Sequence, residues 1–142
     1  MKVEQILQSK GADVFAVKTG DTIASAVSML NEKNIGAVVV ENDQGSIAGI
    51  LSERDVVRKL GEHGVEAMAM RVSECMTPDP ITCSPEATLE DLMGKMTQKR
   101  IRHLPVTNEG RLVGVVSIGD VVKRKIEIAE QEAQALKDYI AT

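Results

Sequence analysis

The pattern of apolar and polar residues predicts the same series of elements, strand–helix–strand–strand–helix, in each half of the chain. In the first half, apolar side chains recur at the three- and four-residue steps of one helical face. These positions are Ile23, Ala26, Val27 and Leu30. Short, mostly apolar runs, typical of buried strands, precede and follow this helix. They cover residues 14–17, 37–40 and 47–52, and a helix over 53–60 completes the series.

The second half repeats this series, and such a repeat outranks local patterns as an organising signal. Its helical face, 66 residues after the first, consists of Leu89, Leu92, Met93 and Met96. Strands are predicted at residues 81–83, 104–106 and 112–117, and a helix follows the last of them. A short amphipathic helix is predicted ahead of each half, at residues 2–9 and 71–77, and Gly11, Ala12 and Asp13 end the first.

The last helix extends beyond what the repeat requires and carries an apolar seam. The apolar residues alternate at three- and four-residue steps, as at the a and d positions of a coiled coil. They are Ile126, Ala129, Ala133, Leu136 and Ile140. Two heptads are too few for an independent coiled coil. We therefore expect the seam either to pack on the body of the same chain or to pair with a second copy in a homodimer.

The composition indicates a soluble globular protein with an aliphatic core. Of the 142 residues, 43% are hydrophobic and 27% charged, with one Phe, one Tyr and no Trp. The net charge of −4 and the lack of aromatic stacking residues argue against a nucleic-acid partner. No apolar run approaches the ~18 residues of a membrane span. The first residues lack a signal-peptide core, so no membrane association and a cytoplasmic location are expected.

The chain contains two cysteines, Cys75 and Cys83, and neither belongs to a Cys-x-x-Cys pair. Without a secretion signal, we expect reduced, buried thiols rather than a disulfide. His63 and His103 lie far from both cysteines in the sequence, so no metal is expected. A thiol redox protein, or a scaffold that binds no nucleotide, is the alternative to the function considered below.

Each half also contains a strand that ends at Ser and turns directly into a helix with Asp three positions later. The pairs are Ser52 with Asp55 and Ser117 with Asp120, 65 residues apart. The simplest role of each pair is close to a capping box, which satisfies unpaired N–H groups of the first helical turn. A carboxylate at such a helix start is also suited to accept both hydroxyls of a ribose. The same helix end favours a phosphate.

Basic residues lie close to these helix starts in the sequence. Arg54 and Arg58 flank the first start, and residues 99–103 (KRIRH) precede the strand at 104–106. Arg suits phosphate because its planar guanidinium can donate two hydrogen bonds to it. Each of these charges is equally well explained as part of a solvated helix end, and His103 as a histidine at a strand edge.

The repeated strand–Ser-x-x-Asp–helix unit, together with residues 102–106 (RHLPV) and 74–77 (ECMT), resembles the CBS domain. Two copies make a CBS pair, or Bateman module, and the resemblance to a stand-alone bacterial protein of this type covers nearly the whole chain. It implies an α+β fold of two βαββα repeats related by a pseudo-two-fold axis. It also implies a regulatory protein that is not an enzyme. Such a protein binds AMP, ADP, ATP or NAD(H) between its repeats, senses cellular energy or redox state, and signals to a partner protein.

By this resemblance, the Asp of each pair binds ribose, the Ser binds ribose or phosphate, and the first short strand holds adenine. The second site then consists of Ile81, Thr82, Arg102, His103, Leu104, Pro105, Ser117 and Asp120. The first site consists of Ala16, Val17, Gly36, Ala37, Ser52, Arg54 and Asp55. Since residues 36–39 (GAVV) replace 102–105 (RHLP), and Arg54 replaces Gly119, the sites are expected to prefer different nucleotides.

The predicted module spans residues 1–142. Within it, the predicted boundaries are 11–60 for the first repeat, 61–76 for a connector, 77–125 for the second repeat and 126–142 for the C-terminal helix.

Overall fold

The computed structural model describes residues 1–10 and 14–141, so the predicted helix end at Gly11, Ala12 and Asp13 lies outside the described residues. The first half contains α1 (Val3–Lys10), β1 (Ala16–Lys18), α2 (Ile23–Lys33), β2 (Ala37–Glu41), β3 (Ile47–Ser52) and α3 (Glu53–His63). A 3₁₀ helix at Gly64–Ala69 and the short α4 (Val72–Cys75) lead into the second half. That half contains β4 (Thr77–Pro78), α5 (Leu89–Lys99), β5 (His103–Asn108), β6 (Arg111–Ser117) and α6 (Ile118–Ala141).

The strands form two sheets, and the first of them includes β4 from the second half. In the first sheet, β2 pairs with β1 in parallel and with β3 antiparallel, and β4 adds to the other edge of β3. In the second sheet, β5 and β6 pair antiparallel. The helices and strands thus give the mixed α+β fold that the repeated series predicts.

The predicted strand at residues 81–83 is wrong, because only Cys83 makes a strand-like bridge, to Val106. In the first half, the N–H of Val39 donates to the carbonyl of Phe15, 3.4 Å away. The residue 66 positions after Val39 is Pro105, which has no N–H to donate. The parallel ladder therefore shrinks to two bonds: Cys83 N–H to the Pro105 carbonyl (3.0 Å) and Thr107 N–H to the Cys83 carbonyl (2.9 Å).

The two halves have separate hydrophobic cores, and each core includes a helix from outside its own repeat series. The first core combines Val38, Leu51 and other residues of the first half with Val72 and Cys75 of α4. The second core combines residues of the second half with α1, and its members from α1 are Val3, Ile6 and Leu7. This exchange of helices ties the two halves together.

Glycine permits the close approach of each exchanged helix segment to a strand. A Cβ atom on Gly49 in β3 would lie 2.6 Å from both Met76 Sδ and the Thr77 carbonyl oxygen. A Cβ on Gly114, the equivalent residue of β6, would lie 2.6 Å from Leu7 Cδ2. At Gly49 a side chain would collide with a backbone oxygen, whereas at Gly114 the Leu7 side chain would have to move.

The C-terminal part of α6 projects from the body of the chain. Every described residue from 129 to 141 is exposed, and Leu136 and Ile140 are 60% and 73% exposed. The first of the two expectations for the seam, packing on the same chain, is therefore wrong. The body is covered by the other side of the helix, through Val121 and Ile128. Within residues 1–10 and 14–141, no helix has the length and apolar character needed to cross a bilayer.

Candidate functional site

The two helix starts have the same local geometry. At the first, the N–H of Asp55 donates to Ser52 Oγ (3.3 Å) and the N–H of Ser52 donates to Asp55 Oδ2 (2.9 Å). At the second, the N–H of Asp120 donates to Ser117 Oγ (3.1 Å) and the N–H of Ser117 donates to Asp120 Oδ2 (2.8 Å). The predicted capping role is confirmed at both, and it holds each carboxylate in one position at the end of a strand.

A backbone hydrogen bond anchors each helix start to the neighbouring strand. The N–H of Glu53 donates to the carbonyl of Gly36 (3.0 Å), and the N–H of Ile118 donates to the carbonyl of Arg102 (2.8 Å). The strand pairing also sets Ala37 opposite Ser52 and His103 opposite Ser117. The structure therefore brings Gly36 and Ala37 next to the first helix start, and Arg102 and His103 next to the second.

Asp120 is half-buried and lines a cavity of about 150 Å³ between α1 and α6. The other lining residues are Ile6, Ser9, Lys123, Arg124 and Glu127. Sequence reasoning did not select Lys123 and Arg124, although their positions three and four residues after Asp120 put them on the same face of a helix. Arg124 forms an ion pair with Glu127 (2.7 Å), and its Nε lies 3.0 Å from Met1 Sδ.

Asp55 has a further partner, Thr77, which sequence reasoning also missed. The Thr77 hydroxyl donates to Asp55 Oδ1 over 3.4 Å, while Oδ2 accepts hydrogen bonds from Ser52. Pairing of Thr77 with Ile50 in the first sheet keeps this hydroxyl beside the helix start. Thr77 lies four residues before Ile81, so the segment that leads to Ile81 and Thr82 begins at the first helix start.

His103 crosses from the second repeat to the first. A Cβ atom placed on Gly36 would lie 3.4 Å from His103 Nε2 and 3.9 Å from Glu53 Oε1. The imidazole thus packs against the Gly36 backbone, close to the first residue of α3. The two predicted sites share this wall.

The remaining predicted site residues differ in their accessibility. Val17, Ala37, Leu104 and Pro105 are buried, and Val17 and Leu104 belong to the hydrophobic cores. Ala16, Ile81 and Thr82 are half-buried, and the carbonyl of Thr82 accepts a hydrogen bond from Lys95 Nζ (3.1 Å). Arg54 and Arg102 are exposed. Any ligand contact of Val17 and Leu104 would therefore be through their backbone.

The two cysteines are buried in different cores, Cys75 in the first and Cys83 in the second. Burial raises the pKa of each thiol above its ordinary value. Both are therefore protonated, weak nucleophiles at neutral pH. In the described parts of the chain, no group of three or more His, Cys, Asp or Glu side chains is arranged to hold a metal ion.

A second, more open hollow of about 360 Å³ lies along the 3₁₀ helix and α4. It is lined by His63, Glu66, Ala69, Met70 and Glu74, and it contains none of the predicted ligand residues. The cavity at Asp120 is smaller, but it combines a held carboxylate with basic side chains. We therefore regard the Asp120 cavity as the candidate site.

The sequence matches the CBS domain family twice, over residues 3–62 and 72–127, and the chain belongs to this family. Two CBS repeats form a CBS pair, which is a regulatory module. A CBS-domain containing protein from Agrobacterium tumefaciens is 40% identical and superimposes with a TM-score of 0.85, over 88% of this chain and 99% of that one. The CBS domain-containing protein CBSX3, mitochondrial, of Arabidopsis thaliana is 36% identical, over 97% of this chain and 71% of that protein.

A more distant structure shares the fold alone. It is a CBS domain pair that is 22% identical, with a TM-score of 0.78, over 87% of this chain and 94% of that one. That protein was solved in complex with 5′-methylthioadenosine and S-adenosyl-L-methionine.

Proposed function

We propose that this CBS pair binds an adenosine nucleotide as a regulatory ligand, with Asp120 accepting hydrogen bonds from the ribose hydroxyls. One observation carries the proposal: the capping carboxylate of α6 lines a cavity together with Lys123 and Arg124. A carboxylate beside two cations is suited to a ligand that carries hydroxyl donors and an anionic group. Ribose phosphate has both.

The basic side chains of the cavity would bind the phosphate. Lys123 is exposed, and Arg124 is half-buried and paired with Glu127. A phosphate that approaches Arg124 competes with the Glu127 carboxylate for the same donors. Ligand binding would therefore release Glu127 from Arg124. The attraction between Lys123 and the phosphate would offset part of the free energy lost with this ion pair.

The size of the cavity implies movement of α1 on binding. About 150 Å³ accommodates part of a nucleotide, whereas small-molecule pockets usually measure ~300 Å³ or more. Ile6 and Ser9 on α1 form one wall and residues of α6 form the other. A whole nucleotide would separate these helices, and this displacement is the signal that we propose passes to a regulated partner protein.

The first helix start would form a second, weaker site with Asp55, Ser52, Arg54, Gly36 and Ala37. Both carboxylate oxygens of Asp55 already accept hydrogen bonds, from Ser52 and from Thr77. A ribose hydroxyl would have to replace or share the Thr77 contact. We propose that the Asp120 site fills first as the ligand concentration rises, because Asp120 lines a cavity that also contains the cations of Lys123 and Arg124.

Adenosine is the chemistry that we propose the module recognises, and AMP, ADP, ATP and NAD(H) are the candidate ligands. The ligands of the distant CBS pair, 5′-methylthioadenosine and S-adenosyl-L-methionine, also contain adenosine. The ligand would be bound and released unchanged, so we propose no catalysis. We propose that the module acts as a homodimer in the cytoplasm, where these nucleotides report energy and redox state.

The test begins with the purified protein. Denaturation followed by mass measurement of the released small molecules identifies any nucleotide that co-purifies. Titration calorimetry with AMP, ATP, NAD and S-adenosyl-L-methionine then gives affinities, with CMP as the control for the base. We expect at least one adenosine compound to bind and CMP to bind much more weakly. Equal binding of CMP and AMP would show that adenine is not recognised, and no binding by any compound would refute the proposal.

A further inference from the structure

We propose that α6 pairs in parallel with α6 of a second copy of this chain, and this deepens the homodimer proposed above. The contact residues are those of the apolar seam, which Val122 extends by one step toward the body. Val122 and Ile126 are 50% and 53% exposed, and the exposure of Leu136 and Ile140 is greater still. No described residue of the same chain covers this seam from 129 onward. We therefore expect the side chains that pack against it to come from outside the chain.

The geometry of α6 leaves the seam accessible while the helix stays attached. Val121 is buried against the body, and Val122 lies one residue further on, about 100° around the helix. The face of α6 that packs on the body is therefore different from the face that carries the seam. On the seam, Ala129 and Ala133 lie between larger residues at both ends, so two helices can approach closely at its centre.

Charges beside the seam identify the partner and its direction. With Ile126, Ala133 and Ile140 at the a positions, the flanking e positions are Glu130 and Lys137 and the g positions are Lys125 and Glu132. In a parallel pair, each g residue faces the e residue of the next heptad on the other helix. Lys125 then faces Glu130 of the partner subunit, and Glu132 faces Lys137 of the partner subunit. Both contacts join opposite charges, and two-fold symmetry makes each of them twice.

An antiparallel pair would bring like charges together. There, e positions face e positions and g positions face g positions. Glu130 would face Glu130 of the partner subunit, Glu132 would face Glu132 of the partner subunit, and Lys137 would approach Lys123 of the partner subunit. Like-charge contacts of this kind disfavour a pairing. The charge pattern therefore selects a second copy in parallel orientation.

The charges that would form these contacts are available. Within the described parts of the chain, neither Glu132 nor Lys137 takes part in an ion pair. Lys125 lies 3.6 Å from Glu90, but both side chains are exposed, so this contact is easily exchanged for Glu130 of the partner subunit. On the outer face, Gln134 donates to Asp138 (2.9 Å), which leaves the seam side clear.

Disulfide trapping tests the orientation directly. Ile140→Cys places a thiol at an a position, where a parallel dimer brings the two copies within disulfide range. We expect mild oxidation to convert this variant to a covalent dimer. Gln131→Cys, at the outward f position, is the matched control and should stay unlinked. An antiparallel dimer would instead give a disulfide when Ile140→Cys is mixed with Val122→Cys, and that result would overturn the parallel assignment.

Charge exchange tests the ion pairs. Glu132→Lys and Lys137→Glu should each raise the dimer dissociation constant several-fold in analytical ultracentrifugation, and the double variant should restore it. Leu136→Glu should raise it more than tenfold without lowering the melting temperature of the dilute monomer, since Leu136 is exposed. A monomeric wild type, or a dimer indifferent to Leu136→Glu, would refute the proposal. No nucleotide enters these measurements, so their failure would not count against nucleotide binding.

Discussion

The imidazole of His103, in the second repeat, packs against the backbone of Gly36, in the first. A Cβ on Gly36 would lie 3.4 Å from Nε2, at the short end of ordinary van der Waals contact, so a side chain longer than alanine would meet the ring. Gly36 is the first-repeat equivalent of Arg102, 66 residues apart, so the repeats differ at this point. The substitution of Arg by Gly makes room for a ring from the other repeat, next to the first turn of α3.

The first prediction tests the expectation, from the CBS resemblance, that His103 contacts the ligand phosphate in addition to Lys123 and Arg124. His103→Ala should weaken binding of AMP but leave binding of adenosine nearly unchanged. A hydrogen bond to a charged group contributes about 1.5–3 kcal/mol, so the loss for AMP should be about ten- to a hundredfold. Titration calorimetry with both ligands measures the difference. Gly36→Ala, whose Cβ would be in ordinary contact with the ring, should leave AMP binding nearly unchanged.

His63→Ala is the control for this prediction. His63, the last residue of α3, is exposed and lies outside both predicted sites. The His63→Ala variant should bind AMP with the same affinity as the wild type. If His103→Ala weakens adenosine and AMP to the same extent, the imidazole does not contact the phosphate.

The second prediction separates helix capping from ligand binding at Asp120. The chain supplies a matched control in Asp91, which forms the same capping box with Thr88 at the start of α5 but is exposed. Asp120→Ala and Asp91→Ala should both lower the melting temperature slightly, because each removes a cap. Asp120→Ala alone should lose about ten- to a hundredfold in AMP affinity, the effect of removing a charged hydrogen bond. Calorimetry on both variants decides the point.

Asp55→Ala provides a third comparison. It should abolish the weaker site and leave the tighter one intact. If Asp120→Ala binds AMP as tightly as Asp91→Ala does, capping is the whole role of Asp120 and the ribose assignment is wrong.

The third prediction concerns the buried thiols and bears on the redox alternative. Because burial raises the folded-state pKa of Cys75 and Cys83, the folded state holds these protons more tightly than the unfolded state. This contribution to stability is fully present below the unfolded thiol pKa of about 8.5 and is lost as the pH rises through the higher folded pKa. Urea denaturation should be followed between pH 7 and pH 10, which is about 1.5 units on either side of the unfolded thiol pKa. We expect the free energy of unfolding to fall on the alkaline side.

Alkylation of the native protein is the accompanying measurement. At neutral pH, iodoacetamide should label neither cysteine until the protein is unfolded in urea, which exposes both. A double variant with Cys75→Ala and Cys83→Ala should lose the part of the fall in stability at alkaline pH that comes from the thiols. Rapid labelling of either thiol in the native protein would contradict the burial and would revive the redox alternative.

The sequence alone is sufficient to predict the repeat, the ends of the strands that lead into α3 and α6, and both capping boxes. These features depend on residues near one another in the chain, such as Ser52 and Asp55, and a second copy reinforced the interpretation. The strand at 81–83 was lost because its stability depended on Pro105, a distant residue that cannot donate the bond made by Val39. The contact between Thr77 and Asp55 also depends on sheet pairing across the halves, which no local pattern reports. The ligand residues themselves stay predictions.

The last prediction compares the two glycines at which exchanged segments cross strands. Gly49→Ala should cost about 1–3 kcal/mol, a typical penalty for overpacking. Its Cβ would meet the backbone carbonyl of Thr77 as well as Met76 Sδ, and a backbone atom cannot rotate away. Gly114→Ala should cost less, because its Cβ would meet only the side-chain end of Leu7 among its nearest atoms. Urea denaturation of the two variants gives the comparison.

A second substitution distinguishes the two clashes. Leu7→Ala alone should destabilise the second core by about 2–5 kcal/mol. In combination with Gly114→Ala, the total cost should be smaller than the sum of the single costs, since the new methyl group occupies space that Leu7 has left. Met76→Ala should relieve Gly49→Ala less completely, because the Thr77 carbonyl remains in place. Strict additivity of Leu7→Ala and Gly114→Ala would mean that α1 does not cross β6 at this glycine, and the exchange of helices between the halves would then have to be abandoned.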